Sequence, residues 1–486
     1  MSRHLEVRRG IYRDSVRLMQ ISQAVGGVAG VRGALVAMAT ELNLDLAAGM
    51  GFERPPDATP NDMMVAVAAE GESALADALA RLAAEMDATP TPGTGPTTVP
   101  PRTAGSAVRR RDATVVVVST PGRYAFLDAM DALDAGASVL VFSDNMPVEQ
   151  EIALKDAGSA RGLLVMGPDC GTAVLGGVGL GFANVVRPGP VGLVAASGTG
   201  AQQVMSLLDA AGVGVSHCLG VGGRDLSAEV AGRSTLAALD ALCADGSTEL
   251  ILVIAKPPDP AVARAVRDRA AQARTPVLFG LLGAGQPDLT AAVEEVLAAL
   301  GRPVPQWPSW PGPASTRAGA IRGLYCGGSL CDEAMAIVSA ALGPVYSNIP
   351  LRPEWRVAPD GRFEGHTMID FGDDALTVGR PHPMIDGTPR LERLATEAAD
   401  PSCGVLLLDV VLGHGSDPDP AASLAPAVAA ARQAGTGVVV ALIGTEADPQ
   451  GRDRQASALH DAGAHVFSSN AQAARFALRL SGAGHE

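Results

Sequence analysis

Apolar residues along this chain recur with two different periods, and each change of period marks a new part. Over residues 1–86, a short run at Leu5–Val7 is followed by Val16, Leu18, Met19, Ile21 and Val25, which repeat every three to four positions. That is the spacing of one helix face, so the pattern predicts a strand and then a helix from Asp14, with that Asp as N-cap. Apolar runs at Gly33–Met38 and Asp62–Ala68 read as strands, and Ala74–Met86, rich in Ala and Leu, as a helix. The order fits a small ferredoxin-like α+β unit. Residues 87–108 replace apolar periodicity with Pro, Thr and Gly and form a semi-extended linker.

From residue 109 the pattern becomes continuous apolar runs separated by helical stretches. Within 109–190 the strands are Thr114–Val118, Ser138–Phe142 and Leu163–Met166, with helices from Arg123 and Pro147. Within 191–301 they are Val191–Ala195, Val215–Leu219, Glu249–Ala255 and Val277–Leu281, with helices such as Gly200–Ala211 and Pro260–Ala273. Residues 302–319, with Trp307-Pro308-Ser309-Trp310-Pro311, break the rhythm and read as a second linker. A third set over 320–486 has strands near Gly323–Tyr325, Pro344–Tyr346, Gly404–Asp409, Gly437–Leu442 and His465–Ser468. Strands apolar on both faces belong to covered parallel sheets, and strand–helix alternation demands right-handed crossovers. The expected fold class is therefore α/β: several doubly wound, Rossmann- or flavodoxin-like parallel-sheet domains plus the small N-terminal unit. Ligands in such sheets sit beyond the carboxyl ends of the strands.

Composition sharpens this picture. Aromatic residues are 3% of the chain while hydrophobic residues are 47%, so the cores are built from Ala, Val and Leu. A net charge of −15 excludes general nucleic-acid binding, because a protein that releases phosphate counterions must be basic. The one basic run, Arg109–Arg111, is a solvated patch. Six scattered cysteines (Cys170, Cys218, Cys243, Cys326, Cys331 and Cys403) form no CxxC pair, which points to a reducing compartment without a disulfide framework or zinc knuckle. No apolar run reaches the roughly 20 residues of a membrane helix, and the charged N-terminus is no signal peptide. A soluble cytoplasmic protein is expected.

Three segments carry candidate chemistry. In the first, the run Val191–Ala196 stops at Ser197-Gly198-Thr199-Gly200 and a helix begins at once. Free N–H groups at a helix start, with two hydroxyls, suit a phosphate-like anion. The plain alternative is a tight turn with Ser197 as an ordinary N-cap. In the second, Val405–Asp409 leads to Gly413-His414-Gly415 and a helix from Asp419. Two such turns facing each other would hold one phosphate. In the third, Arg380-Pro381-His382-Pro383 is a rigid loop, since proline on both sides of His382 fixes the backbone and removes donors. Arg380 suits a carboxylate or phosphate contact and His382 a proton donor. The alternative is a loop whose His caps a carbonyl. His366, Asp373, Asp374 and His382 match no standard metal spacing, so no metal is expected.

Residues 113–300 resemble the α-subunit of succinyl-CoA synthetase. Gly167-Pro168-Asp169-Cys170 is similar to its Gly-Pro-Asn-Cys turn, Ser197-Gly198-Thr199 to its phosphate-binding helix start, and Gly220-Val221-Gly222-Gly223 to its next glycine turn. Residues 320–486 resemble the ligase domain that ends the β-subunit. Over nearly its whole length the chain is similar to the FdrA family, through Phe142-Ser143-Asp144-Asn145, Gly222-Gly223-Arg224-Asp225-Leu226 and Gly379-Arg380-Pro381-His382-Pro383-Met384-Ile385-Asp386. That resemblance implies a subunit of oxamate carbamoyltransferase, a transferase that converts oxalurate and phosphate into oxamate and carbamoyl phosphate. It also implies, as an alternative, an NDP-forming acyl-CoA synthetase subunit. A third reading is a scaffold or sensor.

Departures from the synthetase pattern matter as well. The stretch that would carry its CoA loop is replaced by residues 1–86 and a linker, so CoA is not expected. Its phosphorylated histidine has no counterpart in Phe279-Gly280-Leu281-Leu282-Gly283-Ala284-Gly285, and Lys256 stands where a glutamate partners that histidine. The resulting expectation is phosphate held by Ser197–Gly200 and Gly413–Gly415 with catalytic Lys256, Arg380, His382 and His414. Gly222, Gly223, Asp169 and Asp373 would bind a small anionic substrate, and partner subunits would complete the enzyme.

Overall fold

The computed structural model describes residues 2–11, 13, 15–87, 101–283, 285–313, 317–358, 363, 365–377 and 380–482. The Asp14 cap, residues 88–100 of the first linker, and Gly379 lie outside these residues. The chain divides into two compact units, Met1–Arg102 with Thr377–Pro381, and Thr103–Leu376 with His382–Glu486.

In the first unit, strand Met63–Ala69 lies between Ser2–Arg8 and Val31–Met38 and is antiparallel to both. The outer strands are joined through helix Ser15–Gly26, which is the split β-α-β core of a ferredoxin-like fold. The central strand is buried at every position because both of its faces are covered. Met63, Val65 and Val67 pack with Leu18, Ile21, Val25 and Leu82. Met64, Ala66 and Ala68 pack with Leu44, Ala47 and Phe52. Leu44 and Ala47 belong to helix Glu41–Gly49, capped by Thr40, an element the apolar periodicity does not announce.

The second unit holds three sheets. Val115–Val118, Ser138–Val141 and Val165–Met166 form a small parallel sheet. A six-stranded sheet runs in the order Val277–Leu281, Leu250–Ala255, Pro188–Ala196, Val215–Gly220, Thr172–Leu175, Val178–Gly181. Its last two strands are antiparallel and come from before residue 190, so the sheet reaches across the boundary read from the sequence. The third sheet has seven strands, with Cys403–Val411 central between Gly437–Ile443 and Ala320–Tyr325, and His366–Asp370 beyond the latter. The segment 302–319 is packed where it is described: Trp307 is buried with its indole N–H on Glu294 Oε1 at 3.0 Å, and Ser309–Trp310 pairs as an edge strand.

Helices Gly198–Ala210, Leu289–Ala299, Gly328–Leu342 and Asn470–Leu480 pack on one another and join the two large sheets. Their contact surface is apolar, with a few hydrogen-bonded polar groups. Gln203 Nε2 donates to Ser468 O at 2.9 Å, and Asn470 N donates to Gln203 Oε1 at 2.8 Å. Glu333 takes Leu289 N–H and Asn470 Nδ2, both at 2.7 Å. These bonds fix how one sheet sits on the other, and the carboxyl ends of two parallel sheets thereby meet. All six cysteines are free thiols.

Candidate anion site

Strand Pro188–Ala196 ends at Ser197, which is in extended conformation and caps helix Gly198–Ala210 by accepting Gly200 N–H at 3.0 Å. The N–H groups of Gly198 and Thr199 are left without a partner among the described residues. Facing this start is a second one. Strand Ala320–Tyr325 runs through Cys326 into helix Gly328–Leu342, whose N-cap, Gly327, offers no side chain. The N–H groups of Gly328, Ser329 and Leu330 are therefore uncapped, and a helix start of this kind carries about half a positive charge. The two starts touch: Ser197 Oγ donates to Ser329 Oγ at 2.7 Å, and a Cβ on Gly327 would stand 2.5 Å from Thr199 Oγ1.

The turn at Cys326–Gly327 is held from below. Asp409, fully buried on the central strand Cys403–Val411, accepts Cys326 N–H at 2.8 Å and Gly327 N–H at 2.9 Å. Arg390 Nη1 gives it a third bond at 2.7 Å. With those two amides taken, the next three point outward.

Lys256 and Asp370 flank Gly328. A Cβ at that position would lie 2.8 Å from Lys256 Nζ and 2.7 Å from Asp370 Oδ2, so only glycine lets both side chains approach the helix start. Lys256 follows strand Leu250–Ala255 and pairs with Asp332 at 3.5 Å. Burial works against its charge, but Asp332 and Asp370 outweigh it and raise the ammonium above its ordinary value. Burial pushes the Asp370 carboxyl up to about 7, with Asp409 and Asp373 adding and Lys256 and Gly372 N–H opposing. Beside Lys256 opens a cavity of about 220 Å³, lined by Ala196, Gly223, Arg224, Ser227 and Asp259 among others.

The sequence-predicted residues divide. Ser197–Gly200 and Lys256 meet at the helix starts. Gly413–Gly415 share no hydrogen bond with them among the described residues, and the turn that touches Ser197 and Thr199 is Gly327–Ser329. Gly413 N–H is already bonded to Gln450 Oε1 at 3.1 Å and His414 N–H to Ala183 O at 2.8 Å. The next helix begins only at Pro420, so no helix start reinforces the turn, and the His414 side chain is exposed.

His382 lies against this site, its Nε2 2.8 Å from the Cβ position of Gly372 and its ring 5.6 Å from that of Phe182. Burial, with Arg390 nearby, pulls its pKa down to about 4. Nδ1 accepts Met384 N–H at 3.2 Å, which leaves the proton on Nε2. His382 is thus a neutral imidazole at pH 7 and holds no spare proton for an acid role. Arg380 is exposed and belongs with Thr377–Pro381 to the first unit. Asp373 accepts Ala375 N–H at 3.1 Å and caps a short helix, Asp374–Thr377.

Gly222 and Gly223 follow strand Val215–Gly220, and Gly223 opens onto the cavity. Their turn is fixed by buried Lys155, which bonds Glu151 at 2.8 Å and Asp225 at 2.7 Å, while Arg224 pairs with Glu151 at 2.9 Å. Asp169 stands within 3.2 Å of the Gly223 Cβ position. Crowding, with Asp374 and Asp144 near, pushes its carboxyl up, while its open side to water holds that effect down. His366 sits at the opposite end of its strand from Asp370, about 13 Å away at 3.3 Å per residue. It accepts Ile321 N–H at 3.1 Å, so it joins no metal group with His382. Among the described residues no cluster of three or more metal-binding side chains occurs.

Residues 324–480 match the family described as CoA-ligase, and residues 1–99 the one described as AllF, heavy metal-associated domain. Residues 1–99 contain no cysteine and one histidine, His4. A relative from Escherichia coli (strain K12), named uncharacterized protein YahF, is 38% identical over 508 residues and covers 97% of each chain. The chain belongs to the FdrA family. FdrA-type chains are succinyl-CoA synthetase-like, and the succinate–CoA ligase [ADP-forming] subunit alpha 2 of Archaeoglobus fulgidus is 33% identical over 121 residues, 24% of this chain and 42% of that protein. The malate–CoA ligase subunit alpha of Methylorubrum extorquens is 28% identical over 160 residues, 31% of this chain and 53% of that protein. In this FdrA-type chain no helix among the described residues is long and apolar enough to cross a membrane.

Proposed function

We propose that this chain carries the acyl-phosphate site of an acyl-CoA ligase-type enzyme completed by partner subunits. One observation carries the reading: two helix starts, one from each large sheet, the first capped only at Gly200 by Ser197 and the second with no side-chain cap, meet at the Ser197–Ser329 hydrogen bond with Lys256 beside them. Five unpartnered amides and one ammonium suit a tetrahedral oxyanion. The cavity lined by Gly223, Arg224 and Lys256 offers room for a small anionic acyl group next to it. The relatives named as succinate– and malate–CoA ligase subunits support the same class of chemistry.

A second reading, phosphorolysis of an N-carbamoyl amide such as oxalurate to carbamoyl phosphate and oxamate, is favoured by one feature. Lys256 stands where the synthetase resemblance implies the glutamate that partners a phosphohistidine, and Phe279–Gly285 offers no histidine to carry a phosphoryl group covalently. Lys256 then lowers the charge of free phosphate, and His382 gives a hydrogen bond from Nε2. The test is hydroxylamine trapping of acyl phosphate, counted as the increase over the same mixture without phosphate because a thioester is trapped as well, using the chain together with the proteins that co-purify with it. Succinyl-CoA with phosphate probes the ligase reading, and oxalurate with phosphate the second. Isothermal titration with CoA, expected to bind under the first reading alone, separates them further. Trapped product from neither mixture, with no phosphate bound by the chain, overturns both.

A further inference from the structure

We propose that Asp370 is the proton carrier of the anion site, hydrogen-bonding the bound oxyanion in its neutral form and passing one proton to the leaving group during acyl transfer. This rests on the anion-site reading above and gives Asp370 a role in it.

Asp370 ends strand His366–Asp370, next to the strand that feeds the Gly327–Gly328 helix start. Its carboxyl group is held in place. The backbone N–H and C=O are both bonded to the Asn348 side chain, at 3.0 and 2.9 Å, and Oδ1 accepts Gly372 N–H at 2.9 Å. Oδ2 is thereby aimed at Gly328, whose N–H is among the five unpartnered amides. The residue is 5% exposed. The charged or titratable groups around it come from several elements: Lys256 after strand Leu250–Ala255, Cys326 in the turn before helix Gly328–Leu342, Cys331 and Asp332 on that helix, Asp409 on the central strand, Asp373 in the following turn and His382 on its loop.

A carboxylate fixed this close to a dianion would repel it, whereas a carboxylic acid donates to it. Burial already brings the group near neutrality at pH 7, and an arriving dianion favours the neutral form further. In the reaction, the neutral acid gives its proton to the leaving atom as the carbonyl-to-leaving-atom bond breaks. It recovers a proton from the phosphate hydroxyl, whose oxygen has formed the new bond to the carbonyl carbon. Acyl phosphate and a protonated leaving group result, with no net proton gained or lost.

The experiment uses sulfate, which has no proton to exchange near neutrality. Calorimetric titration of the full chain with sulfate at pH 7.5, in two buffers of different ionisation enthalpy, reads the protons taken up on binding. Wild type is expected to take up a large fraction of a proton per sulfate. Asp370→Asn, which keeps the acceptor for Gly372 N–H, is expected to bind within about threefold of wild type and take up none. Uptake unchanged in Asp370→Asn, or sulfate bound by wild type without uptake, overturns the carrier alone. No sulfate binding by wild type overturns the anion site and the carrier together. Carbon-13 titration of aspartate carboxyls in wild type needs no variant. One aspartate titrating near neutrality should move upward when sulfate is added, and a set of curves that sulfate leaves unmoved refutes the assignment.

Discussion

Replacing Asp409 by Asn tests how the second helix start is positioned. Oδ1 of Asp409 accepts Cys326 N–H and Arg390 Nη1, and Oδ2 accepts Gly327 N–H, so donors stand on both sides of the carboxylate. An amide in its place must set its own NH₂ against one of them, whichever way it is turned. Losing one hydrogen bond to a charged acceptor costs about 1.5–3 kcal/mol. Arg390, 6% exposed, is also left without its counter-charge, and breaking a buried ion pair from one side costs about 3–5 kcal/mol. These costs overlap because they share atoms, so the expected loss is about 3–5 kcal/mol in all. The assay is denaturant unfolding followed by tryptophan fluorescence, which reports the second unit because Trp307, Trp310 and Trp355 all lie there. The midpoint should fall without a change of slope, and sulfate affinity should fall with it, since Cys326 and Gly327 amides released from Asp409 let the start reorient. A loss under about 1 kcal/mol with full sulfate affinity would refute the claim that this carboxylate organises the site.

Three further outcomes are expected. Gly328→Ala places a methyl group between Lys256 Nζ and Asp370 Oδ2 and should weaken sulfate binding at least about tenfold while costing about 1 kcal/mol or less in stability, read by titration and unfolding of one preparation. Lys155→Met leaves Glu151 and Asp225 buried without their common cation and should cost about 3–5 kcal/mol, measured by the same tryptophan signal. For pH, His382 is a base whose pKa falls from 6.5 to about 4 on folding, so its contribution is complete above about pH 6.5 and is lost as pH falls toward 4. Glu333 and Asp370, each pushed up to about 7, act in the opposite sense, stabilising at low pH and fading as pH rises to 7. Comparison with His382→Gln isolates the histidine: wild type should lose at most about 3 kcal/mol relative to the variant between pH 6.5 and 4, and parallel curves would place His382 in contact with water.

Sequence pattern made the large parallel strands plain because runs such as Leu250–Ala255 and Cys403–Val411 are buried throughout and carry no alternation. Short or mixed elements were harder. Helix Glu41–Gly49 has only Leu44 and Ala47 buried, too few for a helical face to stand out. Strand His366–Asp370 opens on a histidine and closes on an aspartate, so its three apolar or β-branched central residues were hidden in what reads as a polar loop. At the site, Ser197 announced its helix start because the cap itself is a side chain. Gly327–Gly328 has no such cap, and that absence leaves its amides open. A trace was present: strand residues ending at Tyr325, two glycines, and an apolar helical period beginning at Leu330. The Gly413–Gly415 turn has the more conspicuous sequence and the less available backbone, since the N–H groups of Gly413 and His414 are spent on Gln450 and Ala183. Composition registers glycines and hydroxyls but not whether an amide is already bonded.

Charge around the site imposes one more condition on any anion it holds. Lys256 is a single cation within reach of Asp332 and Asp370, with Asp409 and Asp373 acting on Asp370 from behind. Helix starts add partial positive charge but no net charge, so with every carboxylate ionised the rim would repel a phosphate dianion. Arg390 already offsets Asp409, and Lys256 offsets Asp332. Of the other carboxyls that act here, Asp370 is the one whose second oxygen faces the helix start. Electroneutrality and geometry therefore select the same group: either Asp370 takes a proton when the anion arrives, or the anion does not bind. Sulfate affinity that falls as pH rises through 7 follows from this condition in wild type, with the slope flattened in Asp370→Asn. Affinity that stays level in wild type would mean that some other charge compensates the dianion, and the roles of Asp370 and Lys256 would have to be exchanged or abandoned.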